Sequence, residues 1–187
     1  LLLGALGVAA ALDRHCAGET GHTPIQGRKT PVPLVLLQGN IPQDEKFEPG
    51  SGVPMALQWY RDLLLQPHRA LVVAPETALP LLPQQLPEGY LQGLQDHFAQ
   101  PERAALIGLP LGSMEEGYTN SVMGLRAGQS EAYRYDKHHL VPFGEFIPPL
   151  FRWFTDLMRI PLGDFNRGAL VQPTFDWRGE RFAPHIC

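Results

Sequence analysis

The stretch "RALVVAPETALP", residues 69 to 80, is a buried-type strand that becomes polar only at Glu76. A short apolar run bounded by proline and polar residues is typical of a strand covered on both faces. Such strands belong to α/β sheets, in which ligands and reacting groups collect beyond the carboxyl ends of the strands. This stretch therefore predicts both the fold class and a place for a functional carboxylate.

The segments on either side of this strand alternate in the way an α/β sheet requires. Residues 51 to 66 have apolar side chains at helical spacing, and residues 87 to 100 open a second helix at Pro87-Glu88. We predict further strands at residues 32 to 43, 104 to 112, 118 to 125 and 130 to 146, and a C-terminal hairpin that turns at Arg178-Gly179. Helices between the first strands and then strands in succession predict an α/β sheet with antiparallel additions.

Composition excludes several classes of protein. The 187 residues suffice for one ordinary domain, and 44% hydrophobic against 18% charged residues indicate a chain that folds. The net charge is −4 and no run of Lys or Arg exceeds two residues, so we expect no nucleic-acid surface. Proline occurs 19 times, about twice the usual ~5%, which favours a site built from loops.

The first twelve residues, "LLLGALGVAAAL", contain no charged side chain. As a helix they would cover about 18 Å, less than the ~30 Å hydrocarbon core of a membrane. We interpret residues 1 to 12 as the end of a transmembrane helix, with a signal-peptide remnant or an apolar helix of a soluble domain as alternatives. Residues 13 to 31 are then a linker, and residues 32 to 187 the folded domain.

The two cysteines, Cys16 and Cys187, are too few for a disulfide framework. Cys16 lies in the polar linker beside His15 and His22, where a spare exposed thiol is the ordinary interpretation. The spacing of these three side chains matches no zinc pattern, so we predict no metal site.

Three reactive residues come directly after predicted strands: Glu76, Lys137 and Cys187. Taken singly they are a loop carboxylate, a surface lysine and a buried thiol. Together they are a base, a cation and a nucleophile. A thiol is a weak nucleophile until a partner takes its proton, which a carboxylate does. A lysine ammonium then stabilises the oxyanion that forms when the thiol attacks a carbonyl.

Four short sequence motifs resemble those of a known family. They are "QGNIPQ" (38 to 43), "APETALP" (74 to 80), "YTNS" (118 to 121) and "YDKHHLVPFGEFIP" (135 to 148). In this order and at this approximate spacing they resemble motifs of the apolipoprotein N-acyltransferases of bacterial inner membranes. The order Glu, Lys, Cys, each after a strand, is similar to the triad of the nitrilase superfamily, to which that family belongs.

The resemblance implies a nitrilase-like α-β-β-α sandwich, present here in part and preceded by the end of a transmembrane helix. It implies Glu76 as general base, Lys137 as oxyanion-stabilising cation, Cys187 as acylated nucleophile and Glu145 as an assisting carboxylate. The implied reaction moves an acyl chain from a phospholipid to the cysteine, and then to the N-terminal amino group of a diacylglyceryl-modified apolipoprotein. The implied enzyme is a monomer of the inner membrane with its catalytic domain in the periplasm, and needs no cofactor.

Aromatic residues supply the expected substrate contacts. Phe143 and Phe146 lie after Lys137 in the motif of residues 135 to 148. There they would either contact an acyl chain or pack as ordinary core residues. Phe47 stands where the family often has tryptophan. We assign no catalytic role to His138 or His139.

The chain departs from the family pattern after Cys187, where members continue with an aromatic residue and a glutamate. We therefore interpret this chain as part of a longer enzyme, cut off at its nucleophile Cys187. We expect this part alone to be inactive. Two alternatives remain open: a soluble nitrilase-type amidohydrolase, for which water is the acceptor, and a non-catalytic nitrilase-like binding module.

Overall fold

Two β-sheets and two α-helices make up the part of the chain that the computed structural model describes, residues 6–10, 31–39, 52–142, 145 and 165–187. The larger sheet has five strands in the order β2-β3-β4-β5-β6. They are β2 (Leu34–Leu36), β3 (Leu71–Val73), β4 (Ala104–Ser113), β5 (Gly117–Arg126) and β6 (Tyr133–Asp136). The first three are parallel, and β5 and β6 are added antiparallel, as the sequence predicts.

Two helices make the crossover connections that parallel strands need. Helix α1 (Gly52–Leu64) joins β2 to β3, and helix α2 (Tyr90–Phe98) joins β3 to β4 after a 3₁₀ turn at Pro83–Gln85. Both helices bury one face and expose the other, which is the apolar periodicity of an amphipathic helix.

The second sheet has the order β1-β8-β7, with β1 (Leu6–Ala10), β7 (Phe175–Trp177) and β8 (Glu180–Ile186). Strands β7 and β8 form the predicted hairpin. Arg178 and Gly179 have φ of 52° and 76°, and positive φ at both central positions is the geometry of the tight type I′ turn.

Alternation along the strands divides the core in two. Val72 of β3 packs with Leu64 of α1 and Phe98 of α2 on one face of the large sheet. The neighbouring Leu71 and Val73 point to the other face, among a cluster that includes Phe175, Trp177, Phe182 and Ile186 of the second sheet. The layers are therefore helices, five-stranded sheet and second sheet, which confirms the α/β class.

The described residues of the apolar run at the start of the chain form a strand and not the expected helix. Residues Leu6–Ala10 form strand β1, which pairs antiparallel with β8 over five residues from Leu6 opposite Ile186. An edge strand exposes unpaired N–H and C=O groups, and a run of small apolar residues pairs with such an edge readily. Among the described residues, the structure has no helix with the length and apolar character needed to cross a bilayer.

Candidate active site

Glu76 lies just beyond β3, where the sequence places it. Ala74 still donates its N–H to Leu106 O of β4, at 2.9 Å, and the chain then turns, with Thr77 in the left-handed region at φ 51°. Two residues after Thr77, the N–H of Leu79 donates to Gly108 O at 3.1 Å, so the turn is held against β4 at both ends.

Gly108 of β4 makes this close approach possible. A Cβ added there would lie 2.3 Å from Pro75 O and 2.8 Å from the Cα of Glu76. Any side chain at position 108 would displace the turn, because backbone atoms cannot approach a Cβ so closely. The glycine therefore determines where the Glu76 carboxylate stands.

Lys137 follows the last residue of β6 and is almost fully buried, with 1% of its surface exposed. Its backbone N–H donates to Asn120 O of β5 at 2.8 Å, which continues the β5–β6 pairing by one residue. This is not the surface lysine of the ordinary interpretation. A buried ammonium is stable only when it is paired.

The three N–H donors of Lys137 have three partner groups. Nζ lies 3.1 Å from Glu76 Oε1, 2.9 Å from Glu145 Oε2 and 2.9 Å from the backbone carbonyl oxygen of Cys187. The structure thus brings all four predicted catalytic residues to one place, from the ends of β3, β6 and β8 and from the loop after β6.

Contacts with Val141 and Phe165 hold Glu145 in place. The N–H of Val141 donates to Glu145 Oε2 at 2.9 Å, and the N–H of Glu145 returns to Val141 O at 2.9 Å. Phe165 donates its N–H to Glu145 O at 3.0 Å. These contacts hold the carboxylate, whose side chain is 12% exposed, over the lysine.

The electrostatics keep the lysine charged. Burial by itself lowers the pKa of Lys137, but the hydrogen bond with Glu145 and the charge and hydrogen bond of Glu76 outweigh it. The pKa therefore lies above its usual value of 10.5. Lys137 is an ammonium at neutral pH, as a group that stabilises an oxyanion must be.

Cys187 comes from the second sheet, directly after β8, and is a free, exposed thiol. Strand β8 alternates buried and exposed positions up to the buried Ile186, and Cys187 follows on the outward side. The candidate nucleophile therefore lies where the end of the second sheet meets the end of β6, beside the buried lysine.

Sequence reasoning missed Asn120 as an individual residue, although it lies in the quoted word "YTNS". Its side chain is buried, and Nδ2 lies 2.6 Å from Glu76 Oε1 and 2.7 Å from Glu145 Oε1. The signal that could have singled it out is an amide side chain within a predicted strand of the same sheet whose strand ends carry the carboxylates.

A second polar network supports the strand that ends at Lys137. The Asp136 carboxylate accepts hydrogen bonds from Ser121 Oγ at 2.6 Å, Thr119 Oγ1 at 3.0 Å and Arg134 Nε at 2.8 Å. Gln172 bonds both backbone groups of Asp136, at 2.8 and 2.7 Å. This network fixes the direction in which the chain leaves β6.

The histidines lie beside the site without touching its carboxylates in any described contact. His138 Nδ1 lies 2.7 Å from Gly168 O, and because a carbonyl oxygen only accepts, Nδ1 carries the proton. The ring of His139 packs edge-on against that of His138, with centroids 4.8 Å apart.

Three predicted substrate contacts, Phe47, Phe143 and Phe146, lie outside the described residues. Within the ranges that are described, no three His, Cys, Asp or Glu side chains group as metal ligands.

Comparison with known proteins identifies the family. The chain is 60% identical over its whole length to an apolipoprotein N-acyltransferase of Verminephrobacter eiseniae, of which it covers 35%. The chain belongs to the apolipoprotein N-acyltransferase family. An apolipoprotein N-acyltransferase from Ralstonia nicotianae is 43% identical. The match covers 84% of this chain and 30% of that protein. The chain thus spans about a third of the length of these members of the family.

No protein-family model matches the chain. Among solved structures, a CN-hydrolase superfamily protein from Xanthomonas campestris is 20% identical, with a TM-score of 0.43 over 69% of this chain and 45% of that one.

Proposed function

We propose that this chain is the catalytic part of an enzyme that N-acylates bacterial lipoproteins. The observation that carries the proposal is the burial of Lys137 against two carboxylates and the backbone of Cys187. A base, a cation and a thiol-bearing residue at one sheet edge suit acyl transfer through a thioester. The names of the relatives supply the acceptor class.

In the first half-reaction, Glu76 takes the proton of the Cys187 thiol as sulfur attacks the ester carbonyl of a phospholipid. Lys137 stabilises the oxyanion of the tetrahedral intermediate. When the intermediate collapses, the C–O bond breaks and the leaving lysophospholipid alcohol takes the proton from Glu76. The acyl chain is then held as a thioester on Cys187.

In the second half-reaction, the N-terminal amino group of the diacylglyceryl-modified apolipoprotein attacks the thioester carbonyl. Glu76 takes a proton from the amine, the C–S bond breaks, and the thiolate is reprotonated. Glu145 assists by holding the ammonium of Lys137 in place. The two half-reactions make the kinetics ping-pong.

The experiment uses the full-length enzyme in membranes with labelled phospholipid, with and without a diacylglyceryl lipopeptide. We expect a hydroxylamine-labile adduct without acceptor, and transfer of the label when the lipopeptide is added. Release of free fatty acid at the same rate with and without lipopeptide would instead identify an amidohydrolase-like enzyme with water as acceptor. Absence of any adduct would leave only a binding module.

The location we propose is the bacterial inner membrane, with the domain after residue 31 in the periplasm. The names of the bacterial relatives support this location, whereas the strand at Leu6–Ala10 gives it no support. A reporter that requires export, fused after residue 30 of the full-length protein, should be active. Activity only of a cytoplasmic reporter would refute this location.

The substrate contacts and the monomeric state are also proposals. The proposal for Phe47 rests on its position, where the family often has tryptophan, and that for Phe143 and Phe146 on their closeness in sequence to Glu145. We expect alanine at each position to raise KM for phospholipid more than it lowers kcat. Light scattering of the detergent-solubilised enzyme should give the mass of one chain.

A further inference from the structure

The cluster around Lys137 has a surplus of negative charge. Two carboxylates, Glu76 and Glu145, share one ammonium, and their side chains are only 15% and 12% exposed. The third N–H of Lys137 is directed to the carbonyl of Cys187 and not to either carboxylate. Two like charges that close repel each other, so hydrogen-bond donors are needed to hold both carboxylates beside one ammonium.

Asn120 supplies that stabilisation. Its side-chain amide has two N–H donors, and Nδ2 lies 2.6 Å from Glu76 Oε1 and 2.7 Å from Glu145 Oε1. Both partners are acceptors when ionised, so the amide nitrogen and not its oxygen must face them. Neutral donors add no charge, yet they favour the ionised form of a carboxylate that accepts their hydrogen bonds.

The position of Asn120 is itself strongly held. The residue is 6% exposed, and its own carbonyl accepts the backbone N–H of Lys137 at 2.8 Å. The neighbouring Ser121 pairs with Asp136 in the β5–β6 register. One residue of β5 thus contacts Glu76 and Glu145 through its side chain and Lys137 through its backbone.

We propose that Asn120 is a positioning residue that clamps Glu76 and Glu145 together and keeps Glu76 in its carboxylate form. This inference rests on the proposed function, in which Glu76 is the base. It predicts that the acid limb of the pH–rate profile is set in part by an uncharged residue of β5. A residue that only stabilises the strand would leave the position of that limb unchanged.

In the described part of the chain, three other titratable groups belong to the cluster that contains Glu76. Lys137 comes from the end of β6, Glu145 from the following loop and Cys187 from the end of β8. Asp136 is engaged with Thr119, Ser121 and Arg134 in the separate network described above.

The test measures formation of the hydroxylamine-labile adduct on the full-length enzyme between about pH 5 and pH 9. Asn120→Asp keeps the shape but replaces the donors by a third carboxylate, and Asn120→Ala removes the donors without adding charge. Asn166→Asp is the matched control, since Asn166 Nδ2 donates to a backbone carbonyl, Glu116 O, at 2.7 Å. Melting temperatures are recorded for every variant.

We expect the acid limb of Asn120→Asp to move upward by about one pH unit or more, because a like charge next to Glu76 disfavours its ionisation. On the acid side of the limb, where the rate falls about tenfold per pH unit, this shift should lower the rate about tenfold, whereas the rate at pH 7 should fall less. Asn120→Ala should shift the limb in the same direction by less, and Asn166→Asp should match the wild type.

An acid limb that stays in place in both Asn120 variants would overturn the inference, whatever their rate or stability. Cys187→Ala is included to separate this failure from failure of the proposed function. Loss of the adduct in Cys187→Ala with an unmoved limb refutes only the role of Asn120. An adduct that persists in Cys187→Ala refutes the thioester mechanism itself.

Discussion

Nζ of Lys137 lies 2.9 Å from the backbone carbonyl oxygen of Cys187, a residue 50 positions further along the chain. The lysine ends a strand of the five-stranded sheet and the cysteine ends a strand of the other sheet. The contact places an ammonium beside the backbone of the proposed nucleophile. The proposed mechanism needs this ammonium near an acyl group carried by that cysteine, and the contact brings the two residues together.

Replacing the nucleophile should abolish the chemistry and leave the fold intact. Cys187→Ala removes one sulfur atom and no charge, so it should change stability by no more than about 1 kcal/mol. Cys187→Ser should be nearly as inactive, since an alcohol is a poorer nucleophile with the same base. Adduct formation from labelled phospholipid and thermal melting of the full-length variants measure both effects. An undiminished adduct in Cys187→Ala would remove Cys187 from this role.

The lysine should not tolerate arginine. A guanidinium is planar and wider than an ammonium, and the cavity for Nζ is enclosed by three partner groups. Lys137→Arg should therefore lose about 10²- to 10³-fold in rate, nearly as much as Lys137→Ala. Glu145→Ala should lose less than either. Acyl transfer at matched enzyme amounts is the measurement, and a near wild-type rate for Lys137→Arg would contradict the assignment.

The turn that carries Glu76 should fail when Gly108 gains a side chain. The added Cβ would meet Pro75 O at 2.3 Å, so Gly108→Ala must push the carboxylate away from Lys137. We expect a loss of at least about tenfold in acyl transfer, because small misplacements of a catalytic group are costly. Gly93→Ala is the matched control, since Gly93 lies in α2 and meets only a flexible arginine end at 3.8 Å. Equal activities of the two variants would refute the packing argument.

The ion pairs of Lys137 should stabilise the fold over a defined pH range. The raised pKa means that the folded state holds the proton more tightly than the unfolded state, whose lysine titrates near its usual value of 10.5. The contribution is fully present below that value and is lost as pH rises through the higher folded pKa. The difference in Tm between wild type and Lys137→Met should therefore be constant from about pH 8 to 10 and shrink above. A difference that grows with alkaline pH would contradict the pairing.

His138 should matter for structure more than for chemistry. Its Nδ1–H donates to Gly168 O, whereas the mechanism assigns no step to an imidazole. His138→Ala should lower the free energy of unfolding by about 1 kcal/mol, the usual net value of one hydrogen bond. His139→Ala should have a smaller effect, and both variants should transfer acyl chains far better than Lys137→Ala. A loss of rate at His138 larger than that at Lys137 would reverse this assignment.

Much of the candidate site could be predicted from short stretches of sequence. An apolar run marked Glu76 as a strand-end group, a tyrosine-containing strand marked Lys137, and the Arg178-Gly179 turn marked the hairpin that leads to Cys187. These features depend on neighbours along the chain: alternation along a strand and the backbone freedom of glycine act over a few residues. The conformation of Leu6–Ala10 could not be predicted in this way, because an apolar run suits a helix or a strand depending on what it meets.

The tertiary structure alone decided which polar groups share the buried lysine. Asn120 meets Glu76 across 44 residues of sequence and Glu145 across 25, and only the sheet order and the β5–β6 register bring them together. Gly108 likewise has no local signature, since its importance comes from the backbone of another strand's turn. The sequence by itself determined the strands after residue 31 and the reactive residues at their ends. Partner choice was left to the fold, because a buried charge is stabilised by whatever groups the packing brings within hydrogen-bond distance.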